Sequence, residues 1–189
     1  MYIRMENSEK RRSNRRRLFA LREILSWVVC ICGAVLIALL LRFFVFEMVR
    51  VDGPSMQPTL YKDQTVFVEK LSIARDSVKR FDVVIARYPN REGAFVKRVV
   101  GLPGDTIEVR DDGHLYINSE QIDEPYILEE FIDRQFGPYT VPEDCYFVMG
   151  DNRNDSLDSR SPDVGAIPKK EVVGHALFVV WPLNQIKKI

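Results

Sequence analysis

The chain has 189 residues, 46% of them hydrophobic, and carries 27 basic against 27 acidic side chains for a formal net charge of zero. That length and apolar content suit one packed domain plus an appendage. Three cysteines exclude a disulfide framework, and with Cys30 and Cys32 inside an apolar run and Cys145 alone, no redox or metal role follows from them.

The zero net charge hides an asymmetry. Residues 1–23 hold eight Lys or Arg against three Glu, so a basic tail precedes an acidic remainder. A basic tail can bind nucleic acid, but this one stands directly before an apolar run, and cytoplasmic membrane flanks collect Lys and Arg. From Ile24 to Leu41 no residue is charged, roughly 27 Å as a helix against a hydrocarbon core of about 30 Å. Arg42 can snorkel to the headgroups, and Phe43 to Phe46 continue the apolar character. Residues 24–46 are therefore expected to form one transmembrane helix. The run is longer than a cleavable signal peptide's apolar region. Arg11, Arg12, Arg15, Arg16 and Arg17 should hold residues 1–23 in the cytoplasm and leave 47–189 outside, a single-pass protein of the cell membrane.

Beyond the span, short β-branched alternating runs recur: Gln64 to Lys70, Asp82 to Tyr88, Ala94 to Val100, Thr106 to Arg110, His114 to Asn118, Cys145 to Met149 and Ala176 to Trp181. Turn residues such as Asp111-Asp112-Gly113 separate them, and no long amphipathic helical pattern intervenes. The expected fold is mainly β, an antiparallel barrel-like or sandwich-like domain preceded by one transmembrane α-helix. Residues 119–144 are acidic and carry Pro125, Pro138 and Pro142, which predicts a long loop or subdomain edge.

Three stretches carry candidate chemistry. In Val51 to Leu60, Pro54 and Pro58 bracket Ser55, Met56 and Gln57 in a turn that is predicted to be rigid and non-helical, able to hold one hydroxyl at a constant angle. A surface turn after an anchor helix fits the same residues. In Ala94 to Val100, strand alternation puts Lys97 on one face with Phe95 and Val99. Apolar neighbours desolvate an ammonium and lower its pKa, making a lysine base; a solvated or edge-guarding lysine is the plainer reading. His114 and His175 lie in no recognisable acid-base motif, and Pro58 holds the place where a Ser-x-x-Lys signature needs its lysine. By elimination Lys97 is the candidate base for Ser55. The third stretch, Met149 to Arg160, is rich in oxygens, yet Arg153 and Ser156 break a calcium-loop pattern, so no metal site is expected. Asn154-Asp155-Ser156 matches a glycosylation acceptor, a pattern common by chance, and Asp158 and Arg160 are available for pairing.

Together, Ser55-Met56-Gln57-Pro58-Thr59, Arg80-Phe81-Asp82-Val83-Val84, Lys97 to Asp105 and Met149 to Arg160 resemble the type I signal peptidases, membrane-anchored Ser/Lys proteases, in order and spacing over about two thirds of the chain. The short form with one N-terminal span is similar to that of Gram-positive bacteria. The resemblance implies Ser55 as nucleophile and Lys97 as general base, with Ser156 orienting the lysine amine. It also implies Arg98, Asp151, Asp158 and Arg160 as supports, and the Ser55 main-chain N–H as an oxyanion donor. Some members have a serine two places before the nucleophile as a second donor; here that place is Gly53. The implied substrates are signal-peptide-bearing preproteins with small residues at the first and third positions before the cut, met at the lipid bilayer, with no cofactor and no nucleic-acid partner. A self-cleaving Ser/Lys regulator would bring a DNA-binding domain for which residues 1–46 leave no room. A peptidase dedicated to one precursor and an anchored binding module remain as alternatives.

Overall fold

A computed structural model describes residues 2–73, 77–89 and 91–189, with side chains from residue 21 onward. The five tail arginines expected to set orientation therefore lie outside the described side chains. The chain divides into two units, residues 1–43 and 44–189. The first is a helix, α1, over Tyr2–Phe44. Its stretch Leu21–Phe44 is 24 residues long and apolar enough to cross a membrane, about 36 Å at 1.5 Å per residue. The basic tail is thus helical in its main chain from Tyr2 onward, continuous with the apolar stretch.

The second unit is antiparallel β throughout its described pairings. Its strands are β1 Phe46–Arg50, β2 Thr65–Glu69, β3 Val83–Arg87, β4 Ala94–Gly101, β5 Thr106–Val109, β6 Leu115–Ile117, β7 Glu120–Gln121, β8 Phe136–Thr140, β9 Cys145–Met149, β10 Ile167–Pro168, β11 Val172–Trp181 and β12 Lys187–Lys188. One sheet runs β1-β2-β11-β3-β4-β9-β10 with β12 beside β11, and the other runs β7-β6-β5-β8. Phe46, expected at the end of the membrane span, instead opens β1 opposite Glu69. Its ring stacks on Phe67 at 5.5 Å, a contact that favours the strand over another helical turn.

Burial explains why the strands differ in pattern. In β2 only Val66 and Val68 are buried while Thr65, Phe67 and Glu69 stay partly open, the period-two signature of a strand covered on one face. In β3 four successive residues are buried. Val83 and Ile85 enter one apolar cluster with Val51, Met56, Leu60 and Val96, whereas Val84 and Ala86 enter another with Tyr88, Val99, Val148 and Ile167. A strand covered on both faces reads as a continuous apolar run. A third cluster, around Ile107, Val109, Leu115, Phe147 and Met149, joins the two sheets. Each Val or Ile enclosed this way contributes about 1.5–3 kcal/mol. The central strands β3 and β4 are thereby held from both sides, and β4 carries Lys97 and Arg98.

The segment 119–144 is not wholly loop, because it contributes β7 and β8. β8 pairs with β5 despite holding Gly137 and Pro138, its edge position leaving one side without a ladder partner.

Candidate active site

Residues 51–60 form a run of turns with both ends sunk in the core. Val51 is tied to Gln64 and Asp63 by main-chain bonds of 2.8 Å each, and Met56 and Leu60 are fully enclosed. Within the run Gln57 N–H donates to Pro54 O at 3.0 Å and Leu60 N–H to Met56 O at 2.8 Å. Apolar anchors on either side leave Ser55 half-buried in a main chain with little freedom. Across from it, Lys97 stands in β4 opposite Val84 and is only 3% exposed. Its Nζ lies 2.6 Å from Ser55 Oγ.

Burial pushes the Lys97 amine down to about 8 from 10.5; the carboxylates of Asp158 and Asp151 pull the other way, and Arg160 reinforces the drop. Burial dominates because taking an ammonium out of water costs more than two nearby carboxylates return. A useful fraction of the amine is therefore neutral near physiological pH, in contact with a hydroxyl whose proton it can accept. The Ser55 main-chain N–H makes no hydrogen bond to another described residue. Pro54 before it has no N–H, and a Cβ at Gly53 would meet nothing within 4 Å.

Around this pair the structure assembles the third stretch. Arg98 donates from Nε and Nη2 to the two oxygens of Asp151 at 2.8 and 2.6 Å and from Nη1 to Phe81 O at 2.8 Å. Asp151, with its side chain 0% exposed, also accepts from Thr59 Oγ1 at 2.5 Å, four residues past Ser55. Phe81 has φ 73°, a left-handed conformation that costs a non-glycine residue about 1–3 kcal/mol and persists only where neighbours hold it. Arg98 is one such neighbour. Asn152 N–H donates to Ser55 O at 3.1 Å.

Asp158 accepts from Arg160 Nε and Nη2 at 2.8 Å each and from Gly150 N–H at 3.0 Å. Burial alone would raise the Asp158 carboxyl, but those bonds and the Arg160 charge outweigh it and hold the group below the ordinary carboxylate range. Gly150 has to be glycine, since a Cβ there would overlap both the Ser55 carbonyl oxygen and the Ser156 hydroxyl. The Ser156 Oγ is enclosed, and the expected bond to the Lys97 amine is not made. Its hydroxyl lies instead beside the Asp158 carboxylate.

Beside Ser55 and Lys97 opens a cleft of about 420 Å³, with Val51, Met56, Phe95, Val96 and Leu157 among its apolar walls. Tyr88 shapes one side, its ring stacked on Phe95 at 4.2 Å and its hydroxyl donating to Leu157 O at 2.9 Å. The histidines sit elsewhere. His175 Nδ1 is 2.6 Å from Ser72 Oγ and its Nε2 is 3.1 Å from Asp82, while the ring of His114 leans on Phe131. Ser72 also donates to Glu69, so that cluster ties β2 and β11 to the residue just before β3. Among the described residues no group of His, Cys, Asp and Glu has the geometry of a metal site.

Sequence reasoning did not single out Thr59, Asn152 or Tyr126. Thr59 and Asn152 stood inside the quoted motifs with nothing to mark a role, and Tyr126 lay in the segment expected to be a loop.

Residues 24–181 match the family model described as signal peptidase, peptidase S26. Signal peptidase I of Bacillus licheniformis is 44% identical over 174 residues, covering 87% of this chain and 92% of that one. Signal peptidase I S of Bacillus subtilis (strain 168) is 40% identical over 177 residues, covering 88% and 94%. A solved signal peptidase I from Enterococcus faecalis V583 is 35% identical, with a TM-score of 0.45, and covers 52% of this chain and 95% of its own.

Proposed function

The chain belongs to the signal peptidase family, peptidase S26, and from that premise we propose that Ser55 and Lys97 are the reacting pair with which this serine endopeptidase cuts signal peptides from exported preproteins. The observation that carries the assignment is the 2.6 Å contact between a buried lysine nitrogen and the serine oxygen.

The cleavage segment of a preprotein lies extended in the cleft beside Phe95 and Val96, small residues facing its apolar walls. Neutral Lys97 Nζ takes the proton from Ser55 Oγ as the oxygen attacks the scissile carbonyl, and the Ser55 main-chain N–H donates to the developing oxyanion. Lys97 then gives its proton to the departing amine. In the second half, Lys97 takes a proton from water, whose oxygen attacks the Ser55 acyl ester; as the ester bond breaks Lys97 returns that proton to Ser55 Oγ, and the signal peptide leaves as an acid that ionises to the carboxylate in water. No cofactor enters these steps. Arg98, Asp151, Asp158 and Arg160 keep the two reacting atoms in register. Ser156 serves as the orienting hydroxyl once substrate binds, its Oγ turning from the Asp158 carboxylate toward the Lys97 amine.

The apolar helical stretch Leu21–Phe44 anchors the enzyme in the cell membrane in a single pass. The arginines of residues 1–23 hold the N-terminus in the cytoplasm and serve the bilayer rather than nucleic acid, leaving the β domain from Phe46 onward outside as the protease domain. The test is incubation of the detergent-solubilised chain with a secretory precursor, followed by N-terminal sequencing of the product. Wild-type protein should release a mature chain with one new N-terminus, and Ser55→Ala and Lys97→Met should leave the precursor intact. Substantial cleavage by either variant would remove that residue from the mechanism.

A further inference from the structure

The acidic segment between β7 and β8 reaches the site through two buried cations. Arg153, 0% exposed, donates from Nη1 and Nη2 to the two oxygens of Glu124 at 2.5 Å each, and from Nε to Gly150 O at 3.0 Å. Glu124 also accepts from the Tyr126 hydroxyl at 2.8 Å. The Tyr126 ring lies under the guanidinium of Arg98, 4.0 Å from its centroid, with Arg153 at 6.0 Å on the same ring. The same segment is fastened to the loop after β9 by a main-chain bond from Leu128 N–H to Asp151 O at 3.1 Å and by the Glu129 carboxylate, which accepts from Arg153 N–H at 3.2 Å. Each cation reaches the nucleophile through a short chain of contacts. Arg153 holds the carbonyl of Gly150, whose α-carbon abuts the Ser55 carbonyl oxygen, and Arg98 holds Asp151, which takes Thr59.

We propose that Glu124 and Tyr126 are positioning residues for the reacting pair: they fix Arg153 and Arg98, and through them the Gly150 main chain and the Asp151 carboxylate that hold Ser55 and Lys97 in line. The inference rests on the reading of Ser55 and Lys97 as that pair. No residue of 119–135 lines the cleft beside Ser55, so these side chains touch reaction geometry without touching the bound peptide. A buried guanidinium stripped of its partner has to find another anion. For Arg153 the next one is Asp151, whose charge already acts on it. Drawn that way, Asp151 loosens its hold on Arg98 and Thr59 and moves its charge from Lys97. The groups facing Lys97 are Asp158, Asp151 and Arg160, so weakening an anionic member favours the neutral amine.

The experiment uses the full-length chain in detergent, a fluorogenic peptide with alanine at the first and third positions before the cut, and steady-state kinetics across pH. Glu124→Gln should lower kcat by about 10- to 100-fold with KM within about twofold, the loss expected for sub-ångström misalignment without lost binding. Its acid limb should move to lower pH. Tyr126→Phe, which keeps the ring over Arg98 but loses the bond to Glu124, should lower kcat about 3- to 10-fold, again with KM unchanged. A folded Glu124→Gln protein with wild-type kcat, or with an unmoved acid limb, overturns the proposal. Should that variant fail to fold, Tyr126→Phe decides it by the same readings. Ser55→Ala runs beside them: residual activity there sinks the reacting pair itself, whereas a dead Ser55→Ala with a normal Glu124→Gln sinks only the positioning role.

Discussion

Lys97 Nζ and Ser55 Oγ stand 2.6 Å apart although 42 residues separate them along the chain. The contact is dry on the lysine side, and that governs its dependence on pH. Because the amine must be neutral to accept a proton and burial places its pKa at about 8, kcat/KM should rise with pH to a midpoint near that value. Below it, activity should fall about tenfold per pH unit. A rate profile on a neutral peptide substrate checks this, and a midpoint near 10 would mean that the working lysine is solvated.

The same burial makes Lys97 a cost to stability. Its folded pKa of about 8 lies below the unfolded 10.5, so the unfolded chain holds the proton more tightly between those pH values. The shift corresponds to about 3 kcal/mol, fully present below pH 8 and lost as pH rises toward 10.5. Lys97→Met should therefore be inactive yet more stable than wild type at pH 7, with the gap closing toward pH 10. Urea unfolding of the two proteins at both pH values measures it; a variant less stable at pH 7 would contradict the desolvation account.

Asp151 has the opposite balance. It is enclosed and accepts from Arg98 and Thr59. Asp151→Ala would strand the Arg98 guanidinium, 11% exposed, without its anion. Breaking a buried pair from one side costs about 3–5 kcal/mol. Denaturant midpoints should show a loss of that size together with loss of cleavage, and a loss under about 1 kcal/mol would place the pair in water.

Gly53 offers a gain of function. A Cβ there meets nothing within 4 Å, so Gly53→Ser is accommodated and sets a hydroxyl two places before Ser55. As a second oxyanion donor it should raise kcat by up to about tenfold, part of the 100- to 1000-fold that removal of such a donor costs elsewhere. Single-turnover acylation rates test it, and an unchanged rate would show that the hydroxyl points away from the oxyanion.

Local pattern was enough for the elements whose burial follows a simple period. Val66 and Val68 alternate with half-open neighbours, so β2 was legible from its letters, and the uncharged run from Ile24 to Leu41 announced an apolar helix. Ser55 between its prolines and Lys97 among apolar neighbours could be singled out because turn chemistry and desolvation act on adjacent residues. The rest depends on partners distant in sequence. β8, with Gly137 and Pro138, is a strand only because β5 offers it an edge. Tyr126 carries no local mark of a role, and what gives it one is the guanidinium of Arg98 above its ring. The Lys97 amine is dry because sheets and loops close over β4 from both sides, and no run of seven letters encodes that. The sequence by itself determined the apolar helix, most strands and the residues capable of the chemistry, since those follow from propensity and period. Only the tertiary structure decided which of those residues meet, since long-range packing sets both the distance between two groups and the water left around them.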